Sequence, residues 1–345
     1  MYFKALVLVL ALLLLQKGYN AKVINTLDEQ EDETSMIEEI MKDDDENTKV
    51  DTRRALGHKT KSFSDASLEL AKLHILEEIV KKSKDITNEN SEDKCSKIKK
   101  VGEPIVHHGS GITQGAWMKD PLGLLGPEKI WYINGYHTNK VLKFESMDHF
   151  KAGEVAKTYI LPYYIDGTGS VVYGRHLYFN RKNSSNVVQY DLVTEKIRET
   201  RLNIIPRKYQ YEWGGYTTMD FSVDETGLWV LYSHPHYKGR LWATLLDPLT
   251  LSAVHHYRSI SLEPMTSMGN AFVACGIVYS IDSYNSRTTT INYAYDTATG
   301  SRTNPGIKFV NKFRYNSMVT YNPREKVLYA WDNRRQITYP LEFED

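Results

Sequence analysis

One pattern constrains this chain more than any other. A short strand-like segment carrying an aromatic in register recurs about every 50 residues. The five copies are Lys129-Ile130-Trp131-Tyr132, His176-Leu177-Tyr178-Phe179, Gly227-Leu228-Trp229-Val230, Ile277-Val278-Tyr279-Ser280 and Val327-Leu328-Tyr329-Ala330. Their aromatics, Trp131, Tyr178, Trp229, Tyr279 and Tyr329, lie 47, 51, 50 and 50 residues apart. After each comes a polar turn, such as Asn134-Gly135 or Asn333-Arg334-Arg335, and then a second strand. Several second strands end in a turn acid: Asp191, Asp247, Asp296. A hairpin repeated at this period is the mark of a propeller blade, longer than a WD-type blade and near the kelch length. Five copies predict an all-β, five-bladed β-propeller of roughly four strands per blade. Ring closure is expected, because open blades would leave unpaired edges. The 24 Tyr and 12 % aromatic content suit strands better than a helical bundle.

The first hundred residues read differently. Lys4 precedes an unbroken apolar run, Ala5 to Leu15, ended by Gln16-Lys17. That run matches a signal h-region and is too short to span a bilayer, which needs roughly 20 residues. Residues 1–21 are read as a signal peptide cleaved after Gly18 or Ala21, leaving a secreted protein with no membrane span. Residues 22–63 form an acidic flexible linker: between Asp28 and Glu46 stand eleven acidic residues and one Lys. Arg53-Arg54 follows as an exposed basic pair. Residues 64–94 hold a short amphipathic helix, with Leu73, Leu76 and Val80 at helical spacing and Lys81, Lys82 and Lys84 in its last turn. The stripe suits packing on the next domain or a short coiled coil joining copies into a homo-oligomer. The domain proper runs over 95–345.

The chain carries 43 Lys plus Arg against 43 Asp plus Glu. Balanced charge argues against a general nucleic-acid binder. In an oxidising compartment the two cysteines, Cys95 and Cys275, are expected to pair, the alternatives being two buried thiols or a link to another chain. Asn183-Ser184-Ser185, in the second hairpin's turn, is an N-glycosylation sequon. His107-His108, His234-x-His236 and His255-His256 lack a carboxylate or Cys at ligand spacing, so they read as loop histidines rather than zinc ligands. There is no Gly-x-Ser-x-Gly elbow and no phosphate loop.

Several separate stretches resemble the olfactomedin domain family. They are Val101-Gly102-Glu103-Pro104, Gly167-Thr168-Gly169 with Leu177-Tyr178-Phe179-Asn180, and Trp213-Gly214-Gly215-Tyr216. Further on stand Val223-Asp224-Glu225-x-Gly227-Leu228-Trp229-Val230, Asn270-Ala271-Phe272 with Cys275-Gly276, Ala294-Tyr295-Asp296-Thr297, and Tyr321-Asn322-Pro323 leading to Leu328-Tyr329-Ala330-Trp331-Asp332-Asn333. The resemblance spans Cys95 to Phe343. It implies a five-bladed propeller with one disulfide, and a secreted or cell-surface glycoprotein acting in adhesion and matrix or receptor binding, not catalysis. It also implies a calcium site near the propeller axis. The matching residues here are Asp220, Asn270, Ala271, Val319 and Thr320. Thr320 offers a neutral hydroxyl where the family pattern has Asp, so calcium affinity is expected to drop, since it follows ligand charge. A neighbouring acid such as Asp282 could complete the shell. The rival is a carbohydrate-active hydrolase on a five-bladed propeller, with Asp220 and Asp282 as its acids; Asp224-Glu225 before Gly227 reads instead as a turn closing the preceding strand.

Overall fold

The computed structural model describes residues 95–344. The expected signal peptide, acidic linker and amphipathic helix all lie outside the described residues. Within them the chain forms five antiparallel sheets, each one blade. Blade one is β3 (Gly115–Met118), β4 (Ile130–Asn134), β5 (Lys140–Phe144) and β6 (Lys157–Ile160). Blade two is β7 (Val171–Tyr173), β8 (His176–Asn180), β9 (Asn186–Asp191) and β10 (Ile197–Arg201). Blade three is β11 (Met219–Asp224), β12 (Gly227–Ser233), β13 (Leu241–Leu246) and β14 (Ala253–Tyr257). Blade four is β15 (Asn270–Ala274), β16 (Ile277–Ile281), β17 (Thr288–Asp296), and the outer pieces β18 (Arg302–Thr303) and β19 (Ile307–Val310). Blade five is β20 (Asn316–Asn322), β21 (Val327–Asp332) and β22 (Arg335–Phe343).

The outer edge of blade five comes from the other end of the domain. Strands β1 (Ile98–Val101) and β2 (Ile105–Gly109) both pair antiparallel with β22, at Val101↔Leu341 and Ile105↔Thr338. The first strands of the domain therefore close the ring. Cys95 precedes blade one in the chain, but in space it leads into blade five.

The repeated hairpins are the second and third strands of each blade. Second strands have neighbours on both faces, so they bury nearly every side chain, and Trp131, Tyr178, Trp229, Tyr279 and Tyr329 are all buried. Outer strands face water on one side, and β10 reads Ile197-Arg198-Glu199-Thr200-Arg201. The core lies between blades. Trp117 of blade one stacks on Phe150 at 5.5 Å, meets Tyr329 of blade five at 4.6 Å, and donates its indole N–H to the Ala330 carbonyl at 2.8 Å. Phe150 belongs to the short helix α1 (Met147–Ala152), whose N-cap is Ser146. The turn acids behave alike: Oδ1 of Asp191, Asp247 and Asp296 each accepts the amides two and three residues on, which closes a tight turn.

Cys95 and Cys275 are bonded, with Cα atoms 5.3 Å apart across 180 residues of sequence. Cys275 and Gly276 form the two-residue turn between β15 and β16, both with positive φ (54° and 69°). Such turns favour Asn-Gly; here a cysteine takes the first place. On the chain-entropy model the bond contributes about 5 kcal/mol. Denaturant unfolding of a Cys95→Ala/Cys275→Ala protein should show a stability loss approaching that value, with an unchanged native circular dichroism spectrum. Alkylation of both cysteines in native wild-type protein would refute the pairing.

Candidate functional site

The innermost strands of blades three, four and five, β11, β15 and β20, contact one another at the ring's centre. Every residue of the three is buried. They carry the residues singled out in the sequence: Asp220 on β11, Asn270 and Ala271 on β15, Val319 and Thr320 on β20. Asp220 is 5 % exposed. Its Oδ2 accepts a hydrogen bond from the Tyr211 hydroxyl at 2.7 Å. Burial pushes the carboxyl up to about 7, and the Tyr211 hydrogen bond pulls the other way. Burial and the Asp220 charge together hold the Tyr211 phenol well above its ordinary value.

The Gly167-Thr168-Gly169 stretch enters the same region. The Thr168 hydroxyl donates to the Ser317 carbonyl at 2.5 Å, and the Phe221 amide to the Gly169 carbonyl at 2.8 Å. A Cβ at Gly169 would lie 2.5 Å from Asp220 Oδ1, so only glycine lets this connector approach the carboxylate. The Trp213-Gly214-Gly215-Tyr216 run folds back on itself: a Cβ at Gly215 would meet the Trp213 ring at 1.9 Å. The Asn270 side-chain amide donates to the Asn316 carbonyl at 3.2 Å. Two buried oxygens, Thr320 Oγ1 and Asn316 Oδ1, have no hydrogen-bond partner among the described residues.

A second constellation surrounds the disulfide. In the β11–β12 turn Asp224 Oδ2 accepts the Gly276 amide at 2.6 Å, and Glu225 Oε2 accepts the Cys275 amide at 3.0 Å. Glu225 Oε1 takes the Tyr321 hydroxyl at 2.8 Å. One acidic turn of blade three therefore grips the disulfide turn of blade four and an inner strand of blade five. The sequence reading saw only a turn in Asp224-Glu225, because the partners stand 50 to 96 residues away. It also missed buried Asp166, which takes a two-pronged contact from Arg207 at 2.9 and 2.8 Å.

The olfactomedin-like domain family matches residues 90–345, which is most of the chain. The chain belongs to the olfactomedin-like family. Among curated relatives, myocilin of Canis lupus familiaris is 39 % identical over 266 residues, covering 74 % of this chain and 54 % of the relative. Myocilin of Homo sapiens is 37 % identical over 260 residues, covering 72 % and 51 %. The chain thus spans about half the length of the curated relatives it matches. Among solved structures, a glutaminyl cyclase of Myxococcus xanthus aligns at a TM-score of 0.42 with 13 % identity, over 71 % of this chain and 97 % of that one, a likeness too low to carry any inference.

The olfactomedin pattern can be set against this geometry. The matched set offers oxygen donors only, which is what a hard cation prefers, and one of them, Thr320 Oγ1, is buried without a partner. To that extent the residues fit calcium. Only one carboxylate belongs to the set, so the fit is to a weakly held ion. Asp282 does not supply the second: it is exposed and accepts the Asn292 side-chain amide at 3.0 Å. Among the described residues the one group of three His, Cys, Asp or Glu side chains within ligand reach is Cys95, Glu225 and Cys275, two of them already bonded to each other. His234 stacks on Trp242 at 4.5 Å and His107 meets the Thr338 hydroxyl at 2.8 Å, both packing roles.

The sign of the Asp220 effect follows from its raised folded-state value. The group's contribution to stability is present at low pH, where the unfolded chain also holds the proton. It is lost as pH rises through about 7. In chelator, the melting temperature should fall between about pH 4 and 7 and level off above that, as about 7 is also reached by buried Asp120. Calorimetry of Asp220→Asn should show a flatter fall. An unchanged slope would mean that the carboxyl is not held up by burial.

Proposed function

We propose that this chain is a secreted, non-enzymatic binding module of olfactomedin type that engages matrix or cell-surface proteins. The observation that carries the reading is the arrangement of its acids. Asp220 is buried beneath Tyr211, whereas Asp282 is exposed and held by Asn292. Asp224 and Glu225 are taken up by backbone amides, a tryptophan indole and a tyrosine. A glycosidase needs two carboxyls facing one open cleft, roughly 5 to 9.5 Å apart, and these side chains are spent on folding instead. A rigid ring with polar hairpin loops is the scaffold on which binding residues usually sit. Among the described residues no helix is long and apolar enough to cross a membrane. Secretion rests on the N-terminal apolar run and the disulfide. Glycosylation rests on Asn183, which is exposed in the β8–β9 turn. The amphipathic stripe at 64–84 is proposed to associate copies of the chain.

Asp220, Asn270, the Ala271 and Val319 carbonyls and Thr320 are proposed to hold a cation, calcium by donor type, that ties three blades at the axis. Millimolar calcium should raise the melting temperature by mass action on the folded state. Thr320→Asp should enlarge that rise, since it restores a carboxylate. No shift in either protein would remove the site. For function, the purified full chain is to be screened against cell-surface and matrix proteins beside a glycan-hydrolysis assay. Saturable binding without turnover supports the reading. Turnover that Asp220→Asn abolishes while the fold persists would overturn it. Glycosidase release of a sugar from Asn183, seen by mass spectrometry, would place the chain in the secretory route.

A further inference from the structure

Antiparallel strands sort every loop of this ring to one of two ends. The hairpins joining second to third strands, and the connectors joining one blade to the next, gather at one end. They comprise residues 110–114, 135–139, 161–170, 181–185, 202–218, 234–240, 258–269, 282–287, 311–315 and 333–334. These loops hold eleven Lys or Arg and four Asp or Glu. The loops of the opposite end hold seven and ten. The domain is therefore electrically polar along its axis.

Three features mark the basic end. Only Arg181 and Arg207 of its cations make ion pairs among the described residues, with Glu199 and Asp166. The other nine are exposed, Lys312, Arg314 and Arg334 among them. Apolar side chains share these loops with the cations: Ile112, Tyr164, Ile205, Tyr237 and Leu262 are 41 to 60 % exposed. The backbone is also strained here. Of thirteen non-glycine residues with positive φ, nine lie in these loops, including Arg207, Lys238, Arg314 and Arg334. Side chains in that conformation cost stability, and such positions collect at functional surfaces.

We propose that this end is a docking face for an anionic phospholipid surface. Charge alone would suit any polyanion. The apolar side chains decide between them: a sulfated glycan offers no layer to receive Ile205 or Leu262, whereas a bilayer offers anionic headgroups and, just beneath them, the acyl boundary. The inference stands apart from the protein-binding reading and survives its failure.

The test is co-sedimentation of the full chain with vesicles of phosphatidylcholine, with and without about one-third phosphatidylserine. The chain should pellet with the anionic vesicles and not with the neutral ones, and less at high salt. Each surface cation is worth about fivefold in partitioning, so Lys312→Ala/Arg314→Ala/Arg334→Ala should weaken it roughly a hundredfold. Ile205→Ser/Leu262→Ser should weaken it at both salt concentrations. Lys129→Ala/Lys151→Ala/Lys196→Ala, at the other end, should leave it unchanged. If the alanine triple fails to fold, Arg314→Gly/Arg334→Gly removes two cations at positions where glycine is the less strained residue. No pelleting, equal pelleting with both vesicles, or pelleting that these face variants leave intact overturns the proposal. Retention on heparin without vesicle binding does so too, and assigns the face to a soluble polyanion.

Discussion

Pairing of β1 and β2 with β22 is the interaction on which the rest of this domain depends. No blade is a stable unit by itself, since each sheet buries its faces only against its neighbours. A ring of five such sheets holds only if the last meets the first. Here the two ends of the domain do this directly, through Val101↔Leu341 and Ile105↔Thr338. The Cys95–Cys275 bond then fastens the leading residues to blade four. Glu225 and Asp224 fasten that turn to blade three, and Tyr321 extends the clamp to an inner strand of blade five. These contacts are non-local, so their loop-closure entropy is spent before they can form. That is where a covalent link contributes most.

Closure also explains how a lone carboxylate comes to be buried at the axis. With the ring shut, β11, β15 and β20 are forced together and Asp220 loses water. A charged carboxylate there would be costly unless paired or bound to a cation. The Tyr211 hydroxyl meets only part of that need, which is why burial raises the group to about 7. Thr320 Oγ1 and Asn316 Oδ1 stay without partners in the same core. Among the described residues these are the two buried side-chain oxygens without a partner; the other unpaired buried polar atoms are nitrogens of Trp131, Arg175, Trp213 and Trp242.

What could be read beforehand follows from burial. Trp131, Tyr178, Trp229, Tyr279 and Tyr329 stood out because second strands are enclosed on both faces and tolerate little but apolar residues. The outer strands carried no such signal. β10 is mostly charged, β18 is two residues long, and β1 and β2 sit far from the strand they complete. The axis residues could be placed through family motifs, not periodicity. Asp224, Glu225 and Asp166 were illegible as clamps because each acts on groups distant in sequence. A turn acid and a three-blade clamp are the same letters until the ring is folded.

The charge balance hides its own structure in the same way. Forty-three cations against forty-three anions describe a neutral chain, and nothing in their order announces two unlike ends. Strand direction does the sorting: each reversal sends one loop up and the next down, and the basic loops fall together. Nine strained non-glycine positions fall with them. At about 1 kcal/mol or more each, such positions weigh on the domain's stability, and glycine would have relieved them. Arg314 and Arg334 keep side chains where the backbone alone favours none. Stability gained by sealing the ring is thus offset at one end, in the loops where the exposed cations stand.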